Sequence, residues 1–281
     1  MILELIATPF VVIIMIIACK LMILLSGVCS MLAKIFDFLM ILLSPIRVIL
    51  FLWLTCRNRG ADHGVAHAFS VMRKALRIRI WMMTAGSVGS VGLLRLDLLF
   101  RIYVVMCASL LHDVKDKKCR KYRPKGTAEN YFETMLTDFI STIYAGDLLM
   151  QVIDNISHSK EMEMREISPN GKIDWIEIFR GDKEVVGDRH AVSDADRLCS
   201  LGKEGHLASC TYNSSNPEYL QAEASQKESV LYDLVDYIYK KKLISLYNDM
   251  ETVYAQSRGK ELLKEFEQIH IAWGVKLNKI N

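Results

Sequence analysis

Two long apolar runs open the chain, separated by a short segment of small and polar residues. Residues 5–25 include Lys20 as their one charged side chain, and residues 35–55 include Asp37 and Arg47. About 20 apolar residues match the thickness of a bilayer core. The pattern predicts a transmembrane helical hairpin over residues 1–56. One span plus a re-entrant or interfacial helix is the alternative, because charged side chains are costly inside a bilayer.

The next segment, residues 57–126, alternates apolar and basic positions with helical spacing. Val65, Phe69, Met72, Leu76 and Ile80 recur on one face, while arginine and lysine occupy another. This pattern is typical of a helix that lies on anionic lipid headgroups, and a helix packed on the protein's own body is the alternative. The residues expected at the membrane surface are Arg73, Lys74, Arg77, Arg79, Lys117, Lys118, Arg120 and Lys121.

Three glycines at a spacing of three, Gly86, Gly89 and Gly92, precede a further apolar run over residues 93–111. They do not form a phosphate-binding loop, because no lysine follows the last glycine and the spacing is not that of a dinucleotide fingerprint. We expect a close helix contact or a bend at these positions. The run after them either dips into the membrane from the cytoplasmic side or packs at the base of the C-terminal domain.

The remaining residues, 127–281, predict a mostly helical domain with a small β-hairpin or short antiparallel sheet. A helical stripe runs to residue 153, and alternating residues flank a turn at Asn170–Gly171. A polar loop is predicted over 187–217, and two final helices turn at Gly259. The predicted fold class is therefore a membrane-anchored α+β protein, with a transmembrane hairpin, basic interfacial helices and this domain.

Charge is divided unevenly along the chain. The first 125 residues carry a net charge of +12 and the remainder carries −9, so the total of +3 is a cancellation. A basic and apolar half favours an anionic bilayer as its partner over nucleic acid, whose binding proteins place positive charge on a polar surface. Basic clusters over 57–79 and 112–125 indicate cytoplasmic flanks, which predicts a location in the cell (inner) membrane with the C-terminal domain cytoplasmic.

Candidate chemistry is sparse in the sequence. Seven cysteines are an odd number and do not suggest a disulfide framework. His63 and His67 are four residues apart and share a helical face, but no third ligand follows in order, so we expect no metal and no cofactor. The predicted 187–217 loop holds the remaining polar candidates: Asp188, His190, Asp194, Asp196, Cys199, His206 and Cys210.

The absence of a catalytic signature favours a non-enzymatic role. We expect a membrane-anchored protein whose cytoplasmic domain binds an unidentified membrane or cytoplasmic protein, such as an accessory, exclusion or immunity factor of a membrane machine. A homo-oligomer is compatible with the sequence. The alternatives are a membrane-bound enzyme that uses the 187–217 loop and a pore-forming or membrane-perturbing factor.

Overall fold

The computed structural model describes residues 30–56, 64–85, 96–114, 124–168 and 170–280. Within these ranges every regular element is a helix, and no strand is present. The chain divides into two compact units, residues 1–47 and residues 48–281. The second unit contains the candidate site, and the packing described below belongs to it.

The helices are short apart from the first two, a long helix in the middle and the last one. The first three are α1 (Ser30–Cys56), α2 (Val65–Ala85) and α3 (Leu96–Leu111). The next five are α4 (Tyr131–Ile140), α5 (Gly146–Asp154), α6 (His158–Ile167), α7 (Trp175–Ile178) and α8 (Lys183–Cys199). The chain continues through α9 (Gly202–Asn213), α10 (Pro217–Gln221), α11 (Lys227–Ile238), a π-helical turn (Tyr239–Leu243), α12 (Ile244–Asn248) and α13 (Val253–Ile280).

The centre of the second unit is formed by α2, α3 and α8. Helix α2 packs extensively against both α8 and α3, and α3 also contacts α8. Small side chains such as Ala75 and Ala191 are fully buried there, beside larger ones such as Ile78 and Val104. Small buried residues allow the helix axes to approach closely. The three helices therefore form a rigid core on which functional side chains can be held in place.

The predicted membrane-anchored α+β fold is wrong. The described residues contain no strand, and none of their helices is both long and apolar enough to cross a membrane. The first predicted span, residues 5–25, lies outside the described residues. The second, residues 35–55, falls within α1.

Apolar side chains of α1 are used for packing from residue 48 onward. Val48, Leu52 and Cys56 are almost completely buried, and the ring of Phe51 stacks on Phe139 with centroids 4.1 Å apart. Similarly, residues 96–111 of the predicted apolar run form α3, on which Val104, Val105 and Leu111 are fully buried. Hydrophobicity alone does not distinguish a buried helix from a lipid-facing one, which explains the wrong prediction.

The predicted β-hairpin around Asn170–Gly171 is also wrong, although a turn is present. The Gly171 amide donates to the Ser168 carbonyl at 3.0 Å, but helices α6 and α7 flank this turn. Asp174 and Asp182 cap the next two helices, because their carboxylates accept hydrogen bonds from backbone amides at 3.0 to 3.1 Å. These aspartates start helices where the alternating pattern predicted strands.

The predicted loop over 187–217 is instead most of α8, all of α9 and the start of α10. The polar composition of this segment suggested a loop, but α8 buries its charged side chains in ion pairs. Asp188, Arg189 and Asp194 have no exposed surface, and each contacts an oppositely charged group. Buried ions need such partners, so a helix can be both polar and internal.

The C-terminal prediction of two packed helical segments is confirmed, with the turn in a different place. Helices α11 and α13 pack on each other, but Gly259 lies inside α13. The turn falls at residues 249–252, where the Asp194 carboxylate accepts hydrogen bonds from the Glu251 and Thr252 amides. The single helix predicted up to residue 153 is divided between α4 and α5.

Candidate metal centre

Four side chains that are distant in sequence meet where α2, α3 and α8 come together. They are His67 in the first turns of α2, His112 and Asp113 just after α3, and Asp196 near the end of α8. His67 Nε2 lies 3.5 Å from Asp113 Oδ2 and 3.2 Å from Asp196 Oδ1. His112 Nε2 lies 3.5 Å and 3.6 Å from the same two oxygens. Each of the two imidazole nitrogens therefore lies within 3.6 Å of the same two carboxylate oxygens.

These distances fit a metal ion better than direct hydrogen bonds. Nitrogen and oxygen ligands about 2.1 Å from a metal are themselves about 3.0 to 3.4 Å apart at the edges of a coordination polyhedron. The separation of 3.2 Å fits this range and a long N–H···O bond, whereas the other three, at 3.5 to 3.6 Å, lie closer to this range than to the usual 2.7 to 3.2 Å of a hydrogen bond. One nitrogen from each of His67 and His112 and one oxygen of Asp196 all lie within 4.8 Å of one another.

His112 is oriented as a metal-binding imidazole. Its Nδ1 lies 2.7 Å from the Ser109 carbonyl oxygen and donates to it, which directs Nε2 toward the two carboxylates. The Nε2 atom is buried and makes no hydrogen bond to the described residues. Metal-binding histidines almost always donate their second ring nitrogen to a carbonyl or carboxylate in this way. The last turn of α3 thus fixes the ring before any ligand binds.

The charges of this cluster are strongly coupled. Burial opposes protonation of His112, but the carboxylates of Asp113 and Asp196 outweigh it and raise its pKa to about 10. Burial would raise the pKa of Asp196, yet the imidazoles of His112 and His67 hold it well below its usual range. The two carboxylates therefore place negative charge beside the two imidazole nitrogens.

One side of the cluster faces solvent. The side chain of His112 is 3% exposed, whereas His67 and Asp113 are 15% and 14% exposed and Asp196 is 39% exposed. A small molecule can therefore reach the carboxylate side while His112 holds the base of the site. Enclosed structural metal sites have no such opening.

A second polar group lies beside this cluster. Lys74 Nζ donates to Ser70 Oγ at 3.0 Å and contacts Cys199 Sγ at 3.3 Å and Glu204 Oε2 at 3.3 Å. Burial raises the pKa of the Cys199 thiol, although the Lys74 ammonium opposes that effect. Ser70 follows His67 by one helical turn and Cys199 follows Asp196 by one turn, so both helices extend the site in this direction.

The basic residues expected at a membrane surface have different environments. Arg73 and Arg77 are exposed and line a groove of about 480 Å³ along α2. Arg79 is only 4% exposed and pairs with Asp188, so its side chain faces the core instead of a surface. Lys74 belongs to the polar group described above. Outside the described residues lie Lys117, Lys118, Arg120, Lys121, Gly86, Gly89, Gly92 and His63.

Of the polar residues in the predicted 187–217 loop, Asp196 alone belongs to the four-residue cluster. His190 packs edge-on against Trp175 and accepts a hydrogen bond from Arg189. His206 lies among aromatic rings, with the Phe266 ring 5.0 Å away. Asp188 and Asp194 are committed to buried ion pairs and hydrogen bonds. Cys210 Sγ lies 3.8 Å from His206 Nδ1, but burial raises the pKa of the thiol and lowers the pKa of the imidazole, so both groups are held in their neutral forms.

Sequence reasoning missed His112 and Asp113. The two residues open the basic segment 112–125, and their neighbours led us to interpret them as part of a positively charged flank. The signal available was an adjacent His–Asp pair directly after an apolar helical run. A single His–Asp dipeptide is weak evidence by itself, because His67 and Asp196 are brought close to it only by folding.

Comparison with known proteins supports the helical fold. No protein-family model and no curated protein matches the chain. A Lactobacillus plantarum protein, solved as a structural-genomics target, matches with a TM-score of 0.54 and 17% identity, over 84% of this chain and 97% of that one. At this identity the likeness concerns the fold alone.

Two further solved structures are similar over comparable lengths. Bacillus subtilis YpgQ in complex with ADP has a TM-score of 0.48 and 15% identity, over 82% of this chain and 93% of its own. The Lin1889 protein from Listeria innocua has a TM-score of 0.44 and 17% identity, over 86% and 97%.

Proposed function

We propose that this protein is a hydrolase that depends on a divalent metal ion and acts on phosphate esters. The observation that carries the proposal is the convergence of His67, His112 and Asp196, whose ligand atoms all lie within 4.8 Å of one another, with Asp113 3.5 Å from both imidazoles. The structural role of a plain ion-pair cluster does not require ligand atoms of His67, His112 and Asp196 that all lie within 4.8 Å of one another. It also does not require the Ser109 carbonyl to orient the His112 ring.

The donor set favours a particular group of metals. Two imidazole nitrogens suit Zn²⁺, Fe²⁺ or Co²⁺, and two carboxylates add affinity for Mn²⁺. Structural zinc sites usually include thiolates and are closed to solvent, whereas this cluster has only nitrogen and oxygen donors and is open at Asp196. These features are typical of catalytic sites.

Hydrolysis is the reaction that such a site supports most directly. A bound divalent ion lowers the pKa of water at the site and polarises a substrate oxygen. The protein's own residues hold the ligands rigid, because His67 and Asp196 are on packed helices and His112 is fixed by Ser109. The ammonium of Lys74, which donates to Ser70 one turn from His67, favours an anionic substrate over a neutral amide.

The earlier expectation of a non-enzymatic protein-interaction role remains a prediction. The two hypotheses differ in what the four residues do. In an interaction protein the cluster is only structural, so its ligands affect stability alone. In a hydrolase the same residues are needed for metal binding and for turnover.

The test compares metal binding and turnover in matched variants. Chelator-treated protein is titrated with Mn²⁺ and Zn²⁺ by calorimetry, and hydrolysis of p-nitrophenyl phosphate is followed with each metal. We expect one metal site per chain, at least about tenfold weaker binding in Asp196→Asn and His112→Gln, and no change in Asp233→Asn, whose carboxylate is exposed.

Three results would count against the proposal. Wild-type protein that binds neither metal excludes the site, and an Asp196→Asn variant with unchanged affinity excludes these ligands. Metal binding without hydrolysis of a phosphate ester excludes the proposed reaction. Denaturant unfolding of each variant confirms that the fold is retained.

A further inference from the structure

The Lys74 ammonium is partly enclosed beside the proposed metal ligands, and most of its polar neighbours are uncharged. Its side chain is 20% exposed, and two of its three polar neighbours, Ser70 and Cys199, carry no formal charge as hydroxyl and thiol. Its third neighbour is Glu204, whose side chain is 72% exposed. The ammonium is therefore paired with a carboxylate that remains mostly in solvent.

The position of this ammonium along α2 is close to that of His67. Lys74 is two turns beyond His67 on the same helical stripe, but its side chain extends back toward the start of the helix and reaches Ser70. Ser70 is one turn, about 4.5 Å along the helix axis, from His67. On α8, Cys199 is likewise one turn from Asp196. The contacts of the ammonium with Ser70 and Cys199 therefore place it about one helical turn from His67 and Asp196.

Ser70 is arranged to act as a hydrogen-bond donor toward a ligand. Its oxygen accepts from Lys74 Nζ at 3.0 Å and from the Cys199 thiol at 3.6 Å. Because the oxygen already accepts these contacts, the hydroxyl hydrogen is the part that remains to interact with an approaching anion. Lys74 Nζ and Ser70 Oγ are 3.0 Å apart, close enough for both to donate a hydrogen bond to one phosphoryl oxygen.

We propose that Lys74 and Ser70 form an oxyanion subsite that binds a non-bridging phosphoryl oxygen of the substrate, and that Glu204 occupies this subsite when no substrate is bound. The proposal rests on the proposed function for the identity of the substrate. Exposed ion pairs are weak, so a phosphate group of higher charge displaces the Glu204 carboxylate. Lys74 thereby gives the site its preference for phosphorylated molecules.

Inorganic phosphate is the probe for this subsite. Its affinity is measured by calorimetry with chelator-treated protein and again with Mn²⁺ present, for wild type and four variants. Lys74→Met is expected to bind phosphate at least about tenfold more weakly, and Lys74→Arg is expected to retain part of the affinity. Glu204→Gln is expected to bind more tightly, because the competing carboxylate is lost. Lys203→Met, an exposed neighbour of Glu204, is the control and should not change.

The outcomes separate this proposal from the metal proposal. Unchanged affinity in Lys74→Met, or no gain in Glu204→Gln, overturns the subsite even if the metal binds normally. Phosphate binding that depends on Lys74 in protein that binds no metal supports the subsite and contradicts the proposed function. Lys74→Met must keep wild-type Mn²⁺ affinity and unfolding free energy, since a loss of either shows a structural role instead.

Discussion

Arg79 Nε donates a hydrogen bond to Asp188 Oδ1 at 2.7 Å, at a position where the Asp188 side chain has no solvent exposure. The other carboxylate oxygen accepts from Arg101 Nη1 at 3.0 Å. One carboxylate therefore connects α2, α3 and α8, the helices that carry or precede the residues of the metal cluster. Its ionic contacts help to set how these helices are spaced.

Loss of the Asp188 charge should lower the free energy of unfolding. Burial raises the pKa of Asp188 to about 6 despite the two guanidinium groups, so the carboxylate is ionised at pH 8. At this pH, Asp188→Asn leaves two arginines without their buried partner and should reduce the free energy of unfolding by about 3 kcal/mol. Glu184 also contacts Arg79 but is 53% exposed, so Glu184→Gln should cost about 1 kcal/mol at most. Urea unfolding measures both, and equal costs would contradict the structural role given to Asp188.

A second buried carboxylate, Glu161, is expected to be equally important for stability. Its side chain is 1% exposed and accepts hydrogen bonds from Arg165, Arg189 and Arg197. Although burial opposes ionisation, Arg189 and Arg197 lower the pKa of Glu161. Glu161→Gln should cost about 3 to 5 kcal/mol in urea unfolding at pH 7. The matched change at the exposed Glu163 on the same helix should cost less than about 0.5 kcal/mol, and the interpretation is wrong if the two variants are equally stable.

Stability should depend on pH through His190. Burial, together with the charges of Arg189 and Arg197, lowers the pKa of His190 to about 3 in the folded protein. The unfolded chain has a histidine pKa near 6.5, so below that pH only the unfolded state gains the proton. The stability contribution is complete above pH 6.5 and is lost as the pH falls toward 3.

The variant that tests this dependence is His190→Gln, which keeps an acceptor for Arg189. Between pH 7 and pH 5, wild-type protein should lose about 2 kcal/mol more unfolding free energy than the variant. Other titrating groups are common to both proteins and cancel in the comparison. Parallel curves of unfolding free energy against pH would rule out a depressed pKa at His190.

The break between α4 and α5 predicts opposite effects at adjacent residues. A Cβ atom on Gly146 would lie 2.3 Å from the Ile140 carbonyl oxygen, which is backbone and cannot move aside. Gly146→Ala should therefore destabilise the protein by at least about 2 kcal/mol. Ala145 has a φ of 55°, which favours glycine, so Ala145→Gly should be neutral or slightly stabilising. Thermal unfolding distinguishes the two, and a stable Gly146→Ala variant would show that the backbone follows a different path.

Part of this fold is readable from local pattern. Phe132, Leu136 and Leu149 were predicted on an apolar stripe and are buried. On α2, by contrast, the predicted apolar stripe is only half-buried, and Ile80 is 45% exposed. Apolar spacing did not reveal α8, because its buried face carries Asp188, Arg189 and Asp194. That composition is typical of a polar loop. The charges are tolerated only because helices distant in sequence supply their partners.

The candidate site also combines features that the sequence shows with features that only the fold shows. The sequence places His67 on a helix, which is correct, but places Asp196 in a polar loop, whereas it lies on α8. Neither observation indicates a metal, since His112 and Asp113 had been interpreted as part of a basic flank. A metal site is defined by the distances between its ligand side chains. Those distances depend on tertiary contacts that the sequence does not show.

By itself the sequence determined most helices before residue 155 and after residue 217, because helical spacing is a local property of a few neighbouring residues. It also determined the uneven charge of the two halves. Only the tertiary structure decided that the apolar runs after residue 48 are core and that a polar segment is a central helix. It alone brought His67, His112, Asp113 and Asp196 together, because packing of α2, α3 and α8 sets the separations on which metal binding depends.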